Sequence, residues 1–278
     1  MRLTRRDRIV LFAPLAVLVG GWLVLPAVLG LLASFTTYSP FTTVVRFSGL
    51  ANYAAVVQDP VFGAAVRNIA VFTIVAVPLE LAVGFGIAHL LRTPIKGRAL
   101  WRVLLLVPWL VSPIAGGVMW HFLFGGAAGI LDFSPVGDVR FALLAAIAVE
   151  VWRVAPFVTF LLLPGLISIP KERWEEATLA GASWIQQVLH VAIPELRTLL
   201  LTVAMLLVGL SFGTFDTILI LTGGGPGTAT LTPALYSYGR AFQTNDWPVG
   251  AASGWLIAGG VIAVGLVYLR LARERPAR

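Results

Sequence analysis

Six long apolar blocks dominate this chain, at residues 9–33, 68–91, 103–124, 141–166, 198–221 and 250–271. A helix needs about 20 mostly apolar residues to cross the hydrocarbon core of a bilayer, and each block is of that order. The blocks are continuous rather than striped, so no helix face is reserved for water. Only 12% of the 278 residues are charged, where an average soluble domain carries about 25%. A large soluble enzyme with buried core helices would need polar helices around them, and no segment is left over for that. The expected fold is all-α: a polytopic membrane protein of about six transmembrane helices in a single transmembrane domain, 1–278.

Charge placement gives an orientation. Fifteen of the 20 Lys and Arg residues fall in four groups: Arg2 to Arg8, Arg92 to Arg102, Lys171 to Arg197, and Arg270 to Arg278. The alternate connections hold only Arg46, Arg67, Arg140 and Arg240, and Arg153 lies inside a block. Positive residues accumulate in cytoplasmic loops, so both termini are expected in the cytoplasm, consistent with an even number of spans. The net charge of +7 is therefore a topology signal, and no nucleic-acid partner is expected. The first block is longer than the apolar region of a secretion signal, roughly 7–15 residues, and reads as a retained helix. Prolines inside the blocks (Pro14, Pro26, Pro78, Pro108, Pro113, Pro156 and Pro164) free backbone carbonyls. That is tolerated where neighbouring protein or a wet cavity satisfies them.

Several chemistries are missing. Neither lysine, Lys96 or Lys171, follows the glycine of a phosphate loop, so no Walker-type ATP site can form. His89, His121 and His190 lack metal-ligand spacing. There is no cysteine, and serines near glycine, such as Ser211, lack the pattern of a nucleophile elbow. No catalytic residue, metal or bound cofactor is expected, and active transport would need energy from a partner.

The strongest local signal lies in the connection 167–197. Pro170 suits the first turn of a helix and Glu172 suits its positive end. Trp174, Ala177 and Leu179 supply apolar positions. Gly181 permits a sharp reversal, and Trp184 to Ile193 is expected as a second short helix stopped by Pro194. Two readings fit this helix–turn–helix: a knob that docks into another protein, or a helix lying on lipid headgroups.

The segment from Trp174 through Glu175, Glu176, Ala177, Gly181, Ala182 and Trp184 to Ile193-Pro194 resembles the EAA loop of binding-protein-dependent ABC importer permeases. In that loop Glu-Ala-Ala-x-x-x-Gly precedes Ile-x-Leu-Pro at fixed distance. Glu176 replaces the first alanine, Ala180 stands where an acid is frequent, and Ala192-Ile193 replaces part of the closing Ile-x-Leu. Further similarity lies in Gly49-Leu50-Ala51-Asn52-Tyr53, Arg102 to Pro108, Glu150-Val151-Trp152, and Phe215-Asp216 leading to Leu221-Thr222-Gly223-Gly224-Gly225-Pro226. These resemble the carbohydrate branch of the family, specifically its maltose/glycerol-phosphate-type first permease. The resemblance implies a type I importer permease in a bacterial or archaeal inner membrane. It implies a heterodimer with a second permease, two ATPase subunits carrying ATP and Mg, and an extracytoplasmic solute-binding protein. The loop would be the ATPase-coupling element. The outer residues Tyr236, Tyr238 and Trp247 would meet the binding protein.

Ionisable groups within the spans are functional candidates by default: Glu80, Glu150, Arg153 and Asp216. Glu150 and Arg153 are i, i+3 neighbours on a helix face that Phe157 continues. A local ion pair and a polar wall with an aromatic floor both fit. The resemblance implies the second, with Trp109, Glu150, Arg153, Val154, Phe157, Leu210, Ser211 and Thr214 along a sugar path. Glycerol phosphate or another polar solute is the alternative within this family. An ion-driven secondary transporter is the alternative outside it. Asp216 is expected to anchor the outer glycine-rich loop rather than touch solute.

Overall fold

A computed structural model of the chain describes residues 12–14, 17–39, 41, 44–93, 97–125 and 133–273. The basic groups at Arg2 to Arg8, Lys96 and the tail beyond Arg273, and the start of the first apolar block, lie outside these residues. All regular structure described is helical, apart from one isolated antiparallel bridge between Thr36 and Phe47. The helices are α1 (Leu25–Ser34), α2 (Ala51–Gln58), α3 (Pro60–Arg92), α4 (Arg98–Leu110) and α5 (Pro113–Phe124). They continue as α6 (Ala142–Ser168), α7 (Lys171–Leu179), α8 (Trp184–Gln187), α9 (Arg197–Phe212), α10 (Asp216–Leu221), α11 (Pro233–Tyr238) and α12 (Trp247–Arg273).

Among the described residues, four helices are long and apolar enough to cross a membrane: Phe12–Ser34, Pro60–Arg92, Ala142–Ser168 and Trp247–Tyr268. The number rises to six if each of two bent pairs counts as one span. Block 103–124 is the first of these, because α4 and α5 meet at 90°. Ser112 caps α5, its Oγ accepting from Ala115 N–H at 3.2 Å, and Pro113 fills the first helical position, where its missing N–H costs nothing. The second bent pair is Trp184–Glu195 with Arg197–Phe212, bent by 83°. Within block 198–221, α9 ends at Phe212 and α10 starts at Asp216, where the acid suits the positive end of the new helix.

The chain divides into two compact units. The first combines Met1–Gly63 with Tyr236–Gly260. In it the Asn52 side-chain amide donates to the carbonyls of Ser34 (2.8 Å) and Thr36 (2.9 Å), and Tyr53 Oη meets Ser34 Oγ at 2.8 Å. The Asn-Tyr pair singled out in the sequence thus fastens the start of α2 to the end of α1.

The second unit comprises Ala64–Leu235 and Val261–Arg278. One of its apolar cores gathers Phe85, Ala88, Leu91, Val154, Val158, Leu162, Trp174, Leu196 and Leu207. Another gathers Ile69, Phe72, Ala146, Val149, Ile218 and Leu235. Helices α3 and α6 approach closely at Gly84, whose absent Cβ would stand 2.6 Å from Val158 Cβ; Thr159 Oγ1 donates to the Gly84 carbonyl at 3.1 Å. Small residues allow this approach where lipid-phase packing, rather than exclusion of water, drives association. The glycine-rich turn is held by Asn68, whose amide donates to the Thr228 (2.6 Å) and Leu231 (3.0 Å) carbonyls, and by Thr222 and Thr230, whose hydroxyls meet at 2.6 Å. Asp216, expected to anchor that turn, lies in the first turn of α10, the helix that leads into it.

Candidate functional site

The connection after α6 folds as a helix–turn–helix, and each turn of it has a chemical cause. Pro170 sits just before α7, and Glu172 occupies its first turn. The helix closes at Gly181, which adopts φ +75°, a left-handed conformation that costs an L-residue roughly 1–2 kcal/mol. Gly181 N–H donates to the Thr178 carbonyl (3.0 Å) and Ala182 N–H to the Ala177 carbonyl (2.9 Å), the paired bonds of a Schellman cap. Ser183 then opens α8 with a capping box: its N–H donates to Gln186 Oε1 at 2.7 Å while its Oγ accepts from Gln186 N–H. The second helix continues through a π turn, Val188–Ala192, into Ile193–Glu195. Pro194 therefore does not stop it as expected. A proline in the first turn of a new segment is tolerated, and the chain bends by 83° after Glu195 instead.

The apolar residues of this knob divide between two faces. Trp174 is only 8% exposed, whereas Leu179 is 89% exposed. Trp184, Ile185, Leu189 and Ile193 are exposed as well. Glu175 pairs with Lys171 on its own helix at 2.8 Å, both side chains in solvent; such pairs contribute at most about 0.5 kcal/mol. Glu176, Gly181 and Pro194 are exposed, while Ala177 and Ala182 are half-buried.

Beneath the knob, the last turn of α3 supplies two residues that were not expected from the sequence. The Arg92 guanidinium lies 3.6 Å from the centre of the Trp174 ring, a contact worth about 0.5–2 kcal/mol. The His89 ring meets Trp174 at 5.5 Å and Trp184 at 5.7 Å, both edge-on, and lies 6.3 Å from Phe85. A cavity of about 640 Å³ opens beside them, lined by Arg92, Leu166, Ile169, Trp174, Thr178 and Gln187 among others. Only the basic cluster and the tryptophans hinted at this arrangement, because the partners are some 85 positions apart in sequence.

A second constellation sits on α6. Arg153 Nη2 donates to Glu150 Oε1 at 2.6 Å and its Nε to Oε2 at 3.3 Å, a two-pronged pair with Glu150 almost fully buried. One turn further, Phe157 stacks on Trp109 of α4, centroids 4.2 Å apart and planes within 9°. The Arg153 guanidinium lies 5.5 Å from the Trp109 ring. Glu80 of α3, 2% exposed, is within electrostatic range of both Glu150 and Arg153. Of the other expected path residues, Val154 is packed into the apolar core with Leu207. Ser211 spends its hydroxyl on the Leu207 carbonyl at 2.9 Å, and Thr214 on that of Leu210 at 3.5 Å. Leu210 is exposed. The structure thus joins Trp109, Glu150, Arg153 and Phe157, and gives the α9 residues no contact with them among the described hydrogen bonds. Of the three outer aromatics, Trp247 is exposed, but Tyr236 is 5% exposed and donates to Asp59 Oδ2 at 2.7 Å. No cluster of three or more His, Cys, Asp or Glu that could hold a metal occurs among the described residues.

Residues 64–273 match the family model described as the binding-protein-dependent transport system inner membrane component. The chain belongs to this family. It is thus the permease subunit of an ABC importer, working with a partner permease, an ATPase and a solute-binding protein. ATP hydrolysis resides in the ATPase subunit, and this permease is not itself catalytic. An ion-driven secondary transporter is thereby set aside. The permease is 33% identical over 239 residues to the trehalose/maltose transport system permease protein MalF of Thermococcus litoralis, covering 82% of this chain and 81% of that protein. It is 28% identical to the sulfoquinovosyl glycerol transport system permease protein SmoG of Agrobacterium fabrum, covering 96% and 90%. Among solved structures it resembles a chain of a bacterial ABC transporter involved in import of the acidic polysaccharide alginate. The TM-score there is 0.83, with 98% of each chain covered at 16% identity. At that identity the likeness speaks to fold alone.

Proposed function

We propose that this permease forms half of a translocation path for a neutral di- or oligosaccharide. The observation that carries the proposal is the Glu150–Arg153 pair set beside the Trp109–Phe157 stack. A sugar presents hydroxyls that exchange hydrogen bonds with a carboxylate and a guanidinium, and a C–H face that packs on an aromatic ring. Because Arg153 is neutralised by Glu150 and Glu80 lies nearby, the site offers no surplus positive charge. This favours a neutral sugar over glycerol phosphate or an acidic one, although SmoG is named for sulfoquinovosyl glycerol and the alginate importer for an acidic polysaccharide. The trehalose/maltose relative supports the same class.

In this reading, 1–278 is one transmembrane domain of six spans with both termini cytoplasmic, paired with a different permease and two ATPase copies. The loop 167–197 docks into the ATPase: Leu179, Trp184, Ile185, Leu189 and Ile193 supply its exposed apolar contact. Gly181 sets its bend, with Trp174, Glu175, Glu176, Ala177, Ala182 and Pro194 shaping the rest. The test is ATP-driven sugar uptake by the reconstituted importer carrying Trp109→Ala or Phe157→Ala. Either variant should reduce sugar uptake at least tenfold while the subunits still co-purify. Unchanged uptake in both would remove the aromatic platform from the path.

A further inference from the structure

The coupling loop needs a route by which its displacement reaches the spans, and one short stretch of α3 supplies it. His89 and Arg92 are i, i+3 neighbours and share a face of the last turn of that helix. From that face Arg92 lies 3.6 Å from the Trp174 ring, and His89 meets the edges of both Trp174 and Trp184. Two residues of one turn therefore grip both helices of the loop, either side of the Gly181 reversal. His89 is only 7% exposed, and its Nδ1 has no hydrogen-bond partner among the described residues. An unsatisfied buried nitrogen costs free energy, and what the ring supplies at this position is its contacts with the two indoles.

We infer that His89 and Arg92 are positioning residues that lock the coupling loop to α3, so that the loop and this helix move as one piece. The inference rests on the coupling role proposed above. Helix α3 runs unbroken for 33 residues, from Pro60 to Arg92. Glu80 lies nine positions before His89, within electrostatic range of Glu150 and Arg153. Packed contacts between rigid elements transmit displacement rather than absorbing it. A push on the loop at Leu179 and Ile185 is thus delivered through Trp174 and Trp184 to α3, and along α3 to the polar site.

The chain contains no cysteine, which permits a direct measurement. Thr93→Cys and Leu179→Cys would carry spin labels in the full importer, assembled in nanodiscs with cysteine-free partner subunits. Their separation would be read by double electron–electron resonance with and without bound ATP. The separation should stay within about 2 Å between the two states, the scale of small helix shifts. A change on the order of 5 Å, a full helical turn, would overturn the inference. His89→Ala and Arg92→Ala should each broaden the distance distribution. Each should also cut solute moved per ATP hydrolysed about tenfold, with ATPase still recovered in the complex. His89→Phe, which keeps a ring in place, should restore the ratio. An unchanged ratio in both alanine variants, or an equal loss in His89→Phe, would contradict the lock. If the ATPase binds a wild-type loop and a loop disrupted at Gly181 equally well, the coupling role itself fails, and the lock fails with it.

Discussion

Arg240 Nη2 lies 3.0 Å from Asp59 Oδ2, joining positions 181 residues apart. Tyr236 Oη donates to the same oxygen at 2.7 Å, and Val61 N–H donates to Oδ1 at 2.8 Å. Burial pushes the Asp59 carboxyl up, but the bonds from Tyr236 and Val61 and the Arg240 charge outweigh it, leaving the carboxyl below its ordinary value. A carboxylate depressed in the folded state contributes stability above its unfolded pKa, near 4, and loses it as pH falls through the folded value. The clamp should therefore be constant from neutral pH to about 5 and weaken below about 4. Asp59→Asn should cost about 1–2 kcal/mol at pH 7 and flatten the acid dependence. Thermal unfolding of both proteins in detergent from pH 7 to 3 checks this; parallel pH curves would contradict it.

Gly84 tests the packing of α3 on α6. An added methyl would stand 2.6 Å from Val158 Cβ and 3.0 Å from the Ala155 carbonyl oxygen, neither of which is a flexible chain end. Gly84→Ala should destabilise by about 1–3 kcal/mol through overpacking. Val158→Ala in the same chain should recover part of the loss. An unchanged unfolding midpoint in Gly84→Ala would show that the helices are not in close contact there.

Gly181 tests the loop. Nothing lies within 4 Å of a Cβ built there, so substitution is resisted by its φ of +75° rather than by crowding. Asparagine visits that conformation more readily than most residues, so Gly181→Asn should retain assembly. Gly181→Asp adds a charge at the tip and should leave membrane insertion normal while the ATPase is lost from affinity-purified complexes. Full ATPase recovery and full uptake with Gly181→Asp would sink the docking role.

Glu150 and Arg153 should behave as a unit. Removing one partner leaves the other's charge unpaired in a largely buried place, whereas removing both does not. Glu150→Gln and Arg153→Gln should each destabilise more than the double variant does. The coupling energy should be about 1 kcal/mol, the order found for polar pairs within membranes. Additive effects in the double-mutant cycle, scored by unfolding midpoints, would show that the pair contributes nothing jointly.

The sequence disclosed what is local and periodic. The apolar blocks announced a helical membrane protein, and Pro170, Gly181 and the segment from Trp184 to Ile193 lie within one continuous stretch, so the helix–turn–helix was legible there, while the Ser183–Gln186 capping box came only with the structure. The bend between α4 and α5 was foreshadowed by Pro108 and Pro113, but a proline does not announce its angle. The contacts that organise the sites were not legible, because their partners are remote. Asn68 reaches Thr228, Arg92 reaches Trp174, and Asp59 reaches Arg240. The Glu150–Arg153 pair was visible as a helix-face neighbour, but the Trp109 ring stacked beside it was placed by the fold. Ser211, inside α9, and Thr214, just beyond its end, each bond to the carbonyl four residues back, a local bond that hydroxyls make readily and that the sequence alone does not distinguish from a free one.

The proposed function makes this chain a sugar path driven by an ATPase acting through the loop 167–197. The most direct measurement is uptake of labelled sugars into proteoliposomes holding the permease, its companion permease, the ATPase and the solute-binding protein. A neutral di- or oligosaccharide should accumulate only with ATP and the binding protein present, and accumulation should cease in Gly181→Asp while the permeases remain inserted. ATP-independent accumulation, or uptake confined to phosphorylated or acidic solutes, would contradict the proposed function.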